Sequence, residues 1–111
     1  MRDKGIDVTE AQANQAAAFI AVIGNAMRVR MTQIMLEGEL PVGDLANRIG
    51  LSHSATSQHL KKLKMAGMLI QRKDEQSRYC TISKDSAEVL RQLILVGEAH
   101  QLNPPGNRPR P

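Results

Sequence analysis

Between Ser52 and Leu63 the chain reads Ser-His-Ser-Ala-Thr-Ser-Gln-His-Leu-Lys-Lys-Leu. Its hydroxyls, amide and ammonium groups are the types that hydrogen-bond to base edges and phosphates. Wound as a helix, Ser54, Ser57, Gln58, Lys61 and Lys62 gather on one side, and Thr56, His59, Leu60 and Leu63 on the other. On the polar side, Gln58 can pair bidentately with adenine. Ser54 and Ser57 can reach base edges or phosphates, Lys61 a phosphate or a guanine, and Lys62 a backbone phosphate. His53 falls in the first turn, close to the same base edges. His59 lies on the flank of the apolar stripe, where a half-buried packing role is expected.

Such a face works only if other elements hold it out. Upstream, Pro41 opens a short helix at a first-turn position, Val42, Leu45, Ala46 and Ile49 form its inner face, and Gly50 ends it. Ser52 then caps the next helix, which runs to about Ala66 and stops at Gly67. Two short helices around a glycine turn are the sequence form of a helix-turn-helix, whose second helix can lie in the DNA major groove. Two strands follow, Met68 to Lys73 and Arg78 to Ile82, around the polar turn Asp74-Glu75-Gln76-Ser77. A hairpin in this place is a wing. Arg72, Lys73 and Arg78 put positive charge on it, and Gln76 and Ser77 at its tip can hydrogen-bond to a duplex.

The rest of the chain frames this unit. Residues 1–9 are expected as an arm, with Thr9 as N-cap of a first helix from about Glu10 to Ile23, whose Ala13, Ala16, Ala17, Ile20 and Ile23 repeat at helical spacing. Gly24-Asn25 breaks it. A second helix, about Ala26 to Glu37, turns Met27, Met31, Ile34 and Met35 inward. A last helix covers about Asp85 to Leu102, with Val89, Leu93, Leu95 and Val96 apolar. Residues 103–111 hold four prolines and two arginines and read as a tail that does not pack. The fold class is mainly α with a β-hairpin wing, in the order ααααββα, and residues 10–102 form one domain.

Charge follows the same division. From Arg48 to Arg78 there are seven Lys and Arg against Asp74 and Glu75, whereas the remainder is nearly balanced; the whole chain carries +4. A polyanion partner requires that concentration of positive charge. Aromatic residues are scarce, so Leu, Ile, Val, Met and Ala must build the core, with methionines filling its irregular gaps. A single cysteine, Cys80, rules out an intrachain disulfide and favours a cytoplasmic setting. The apolar run from Ala16 to Ile23 is too short to span a membrane, and it lacks the flanks of a signal peptide. Neither a phosphate-cradling glycine loop nor a nucleophile elbow is present, so the chain is read as no enzyme, without cofactor.

Leu51 to Leu60, followed by Leu63, Ala66-Gly67, Leu69 and Arg78-Tyr79, resembles the ArsR/SmtB family of small winged-helix repressors, as does Gly24 to Arg30. A proline commonly follows the asparagine there; here it is Ala26. The resemblance covers about residues 16 to 100. It implies a homodimer joined through the first and last helices, which places Ala13, Ala16, Ala17, Ile20, Leu93 and Val96 in the interface. It also implies an operator released by metal or another signal.

The family's sensing chemistry does not carry over. Where arsenic-type members hold Cys-Val-Cys, this chain has Pro41-Val42-Gly43, which offers no thiolate. The zinc-type positions are Asp85, Ala87, Glu98 and Gln101, too few donors for zinc. No metal is therefore expected, and no residue identifies a small-molecule effector. Two alternatives stay open. Cys80 alternates with Arg78 on one strand face, where a guanidinium would favour the thiolate of a redox-responsive repressor; a small packing residue is the plainer reading. The other alternative is a winged-helix protein-interaction module that binds no DNA.

Overall fold

A computed structural model describes residues 7–100. Its elements in order are α1 (Glu10–Ile23), α2 (Ala26–Leu36), β1 (Leu40–Pro41), α3 (Val42–Ile49), α4 (His53–Met65), β2 (Leu69–Asp74), β3 (Ser77–Ile82) and α5 (Lys84–His100). The expected tail, the first part of the arm and the end of the last helix at Leu102 lie outside the described residues.

The helix boundaries follow from local chemistry. Thr9 caps α1 in a reciprocal box: its Oγ1 accepts from the Gln12 amide at 3.1 Å, and Gln12 Oε1 accepts from the Thr9 amide at 3.0 Å. Asn25 caps α2 by accepting from the Arg28 amide at 3.0 Å. Ser52 caps α4 by accepting from the Ala55 amide at 3.1 Å. At the far end of α4, Gly67 adopts φ 75°, and the amides of Gly67 and Met68 donate to the carbonyls of Lys64 and Leu63. That is a Schellman closure, which turns the chain sharply into β2. Gly50, at φ 77°, makes the corresponding left-handed turn between α3 and α4.

One strand was not expected. Leu40 and Pro41 form β1 and pair with Cys80 and Tyr79, so the sheet has three antiparallel strands in the order β1-β3-β2. The observed order is ααβααββα, not ααααββα. Pro41 therefore precedes α3 as its N-cap while also ending an edge strand, a place where its missing N–H breaks no ladder. The hairpin itself is as expected, with Leu69 opposite Ile82 and Asp74 opposite Ser77.

The core sits where α2, α3, α4, β3 and α5 meet. Met31, Met35, Leu45, Leu63, Met68, Cys80 and Leu90 are almost wholly shielded. Met31, Met35 and Met68 fill the centre as anticipated, but Met65 is 78% exposed. Met27 and Ile34 are half-buried and pack against the core, whereas of the apolar repeat in α1 only Ile23 is buried and Ala13, Ala16, Ala17 and Ile20 are exposed. The physical reason is position: α1 touches the rest of the chain mainly through its last turns, where Phe19, Val22 and Ile23 join the core.

Candidate nucleic-acid interface

α4 is held from beneath and open above. Thr56, Leu60 and Leu63 are buried, along with Leu45, Ala46 and Ile49 of α3. Thr56 also ties itself down, its hydroxyl donating to the Ser52 carbonyl at 2.8 Å. On the opposite side His53, Ser54, Ser57, Gln58, Lys61 and Lys62 are all exposed. The helix thus presents the whole predicted polar face. The His53 ring leans on α3: a β-carbon placed at Gly43 would lie 3.4 Å from its Cε1. The glycine leaves room for that imidazole beside the α4 N-terminus.

The wing stands next to this face. A groove of about 640 Å³ runs between them, lined by Ser57, Lys61 and Lys64 from α4 and by Gln71 and Arg78 from the hairpin. A smaller hollow of about 450 Å³ lies among His53, Ser57, Gln76, Ser77 and Arg78. The outward face of α4 and the wing tip therefore converge on a concave, basic surface. Lys73 and Arg78 sit opposite each other across the strands. Neither they nor Lys61, Lys62 and Lys64 form an ion pair among the described residues. Uncompensated cations are what a phosphate chain attracts.

Arg72 departs from the expectation of a freely presented wing charge. Its Nε donates to both carboxylate oxygens of Glu39, at 2.9 and 2.8 Å, and a terminal nitrogen lies 2.8 Å from Oε1. Asp74 is a further 3.8 Å contact, and the guanidinium stacks 4.3 Å above the Tyr79 ring. The hydrogen bond to Glu39 raises its pKa. Arg72 thus binds the hairpin to the segment before β1, and its charge is largely offset. Arg48 is similarly engaged, with Glu37 at 3.2 Å.

Cys80 is corrected as well. The thiol is fully buried, donates to the Leu40 carbonyl at 3.5 Å, and is pushed up to about 11 by burial and then by the Glu39 charge. Arg78, two residues away, is exposed and does not offset this. Cys80 is a packing thiol and not a thiolate at neutral pH.

His59 is half-buried, as expected, but it has a partner that the sequence did not disclose. Arg28, itself buried, places a guanidinium nitrogen 3.2 Å from His59 Nδ1 and donates from Nε to the Val22 carbonyl. Burial first, then the charges of Arg28 and Lys62, lower the imidazole pKa from 6.5. Gln71 was also missed. It lines the groove beside α4, yet nothing in a lone strand glutamine marks it without the register.

A second surface is apolar: Ile20 is 62% exposed, Leu93 44% and Val96 50%, and Val89 and Leu95 of α5 are exposed as well. An almost wholly apolar groove of about 480 Å³ separates the α1–α2 junction from α5, bounded by Ile20, Ile23, Val29, Leu90, Leu93 and Ile94. Among the described residues no three His, Cys, Asp or Glu side chains cluster as metal ligands, and no helix is long and apolar enough to cross a membrane.

Comparison with known proteins agrees with this geometry. Residues 26–71 match the family model described as bacterial regulatory protein, arsR family. The chain is 38% identical over 71 residues to the nodulation protein NolR of Rhizobium meliloti, covering 64% of this chain and 58% of that protein. It is 32% identical over 91 residues to the transcriptional activator HlyU of Vibrio cholerae, covering 80% of this chain and 84% of that protein. Its backbone superposes with a TM-score of 0.79 on a homodimeric winged helix-turn-helix DNA-binding domain from Mycobacterium bovis, at 22% identity, covering 91% and 94% of the two chains. The chain accordingly has a winged helix-turn-helix fold and belongs to the arsR family of bacterial regulatory proteins.

Proposed function

We propose that this protein is a homodimeric transcriptional repressor of the cytoplasm that reads a near-palindromic operator with α4 and the wing. Residues 10–102 serve as one DNA-binding and dimerisation domain. The observation that carries the reading is the outward face of α4, where Ser54, Ser57, Gln58, Lys61 and Lys62 stand exposed beside a wing bearing unpaired Lys73 and Arg78. In a two-fold dimer the two α4 helices enter successive major grooves roughly 34–36 Å apart. Gln58 and the serines read base edges, His53 and Lys61 assist them, and Lys62, Lys73 and Arg78 hold phosphates. Gln76 and Ser77 touch the flank from the wing tip.

The second copy of the chain covers the apolar groove. Exposed Ile20, Leu93 and Val96 supply the greasy centre, and the small Ala13, Ala16 and Ala17 let a partner helix approach closely. A domain of the same fold from M. bovis is homodimeric. Regulation does not use Cys80, whose thiol is buried and protonated.

A gel shift with fragments of the source genome, followed by sequencing of the retained DNA, tests the proposal. Retention of a small set of near-palindromic fragments is the expected result. Its affinity should fall with salt at a log–log slope on the order of −5 to −8, for about six to nine phosphate contacts. Failure to retain any duplex at low salt would assign the basic face to some other partner and favour the protein-interaction reading.

A further inference from the structure

We propose that Arg28 and His59 are positioning residues that pin the recognition helix to the α1–α2 junction, and that a proton on His59 releases this pin and weakens operator binding. The inference deepens the DNA-binding proposal and rests on α4 being the reading helix.

Arg28 belongs to α2, yet its guanidinium is buried at 8% exposure. It forms no ion pair with a carboxylate among the described residues. A buried cation must be compensated. Two groups do this: the Val22 carbonyl in the last turn of α1, at the negative end of that helix, and Nδ1 of His59. The last turn of α1 has no basic residue of its own, so Arg28 fills that role from the next helix. One guanidinium thereby bridges α1, α2 and α4.

Arginine is only a donor and stays protonated. Nδ1 must therefore be the acceptor, which puts the imidazole proton on Nε2. Imidazolium has no lone pair left, and its charge would face Arg28 directly. The bridge and the proton are mutually exclusive. The charges that act on His59 are Arg28 from α2 and Lys62 from its own helix, both positive. α1, which packs on α4, carries a single charged residue, Glu10, at its far end. The charged residues of α3 and β2 do not act appreciably on the ring; Arg48 and Arg72 there are engaged with Glu37 and Glu39. Among the described residues no carboxylate acts on the ring to stabilise the imidazolium. His59 follows Gln58 directly and precedes Lys62 by three residues, so displacing its ring displaces the reading face.

The sign of the pH effect is fixed by this arrangement. The folded form resists protonation more than the unfolded chain, so stability is full above pH 6.5 and declines as pH falls below it. The experiment uses the full chain with an operator duplex selected from genomic DNA, and compares wild type, His59→Gln and His53→Gln. Glutamine at 59 offers an oxygen to Arg28 and does not titrate. His53→Gln removes the other imidazole of α4, which has no hydrogen bond to Arg28. Between about pH 7.5 and about pH 5.5, wild-type affinity should fall as His59 takes up its proton. The heat-unfolding midpoint should fall in parallel. His59→Gln should hold its neutral-pH affinity and lose both pH effects, and His53→Gln should retain both.

Ring-nitrogen chemical shifts of the unmutated chain give an independent reading, expected to show neutral His59 with its proton on Nε2 at pH 7. A charged His59 at that pH, or an unfolding midpoint in His59→Gln as pH-dependent as in wild type, overturns the pair. A pH-independent wild-type affinity overturns its link to DNA. Absence of duplex binding at neutral pH, with the midpoint still tied to His59, refutes the DNA-reading role of α4 and leaves the bridge itself standing.

Discussion

The α4–wing side of the molecule and the α1–α5 side solve opposite problems. On the first, Leu60 and Leu63 of α4 are buried against the chain's own core, and apart from Met65 and Ile70 what faces outward is mostly polar and basic. That side is complete in one copy. On the second, α1 buries little beyond its last turns, and Ile20, Val89, Leu93, Leu95 and Val96 are left 44–62% exposed. Water is a poor neighbour for that surface, and a domain of this size gains from covering it. In the proposed function, reading DNA and joining two copies therefore fall to separate surfaces, which meet through the buried contacts at the α1–α2 junction.

Breaking the apolar side should have the largest effect on function. Leu93→Asp leaves the fold intact, because the residue is half-exposed in one copy, but should yield monomers in sedimentation. Operator affinity should then fall by at least about 100-fold, the scale of lost bivalency. Breaking the reading side costs less and shows a different signature. Gln58→Ala should weaken operator binding by roughly 1–3 kcal/mol and leave random duplex unchanged. Equal losses on both duplexes would remove Gln58 from base reading.

Smaller effects sharpen the contrast within the wing. Arg78→Ala should weaken operator and random DNA alike and reduce the log–log salt slope by about 1. Arg72→Ala should weaken binding less than Arg78→Ala, because Glu39 already offsets its charge; a larger loss would place Arg72 on the duplex. The least effect is expected at Cys80. With its thiol buried and pushed up to about 11, it should resist a thiol alkylator at pH 8 in the native chain and react once the chain is unfolded. Rapid native labelling would reopen the redox reading.

The parts legible from residues alone were those set by local chemistry. Ser52, the glycines at 50 and 67, and the helical spacing of Thr56, Leu60 and Leu63 define α4 and its outward face without reference to anything distant. Contacts between distant positions were not legible. β1 is two residues long and exists only because Leu40 and Pro41 meet Cys80 and Tyr79. The same is true of Arg72, whose partner Glu39 is 33 positions away, and of Arg28 with His59, 31 positions apart. Such pairings depend on three-dimensional closure, which neither propensity nor periodicity encodes. The spacing of Ala13, Ala16 and Ala17 was a real apolar stripe, but a stripe does not say whether its cover is the same chain or another copy.

The most direct measurement is a map of backbone amide shifts on adding the selected operator duplex to the labelled protein. The largest changes should fall on residues 53–62 of α4 and 71–78 of the wing, with α5 little affected. Changes confined to α1 and α5, with Ser54, Ser57 and Gln58 silent, would contradict the assignment of α4 as the helix that enters DNA.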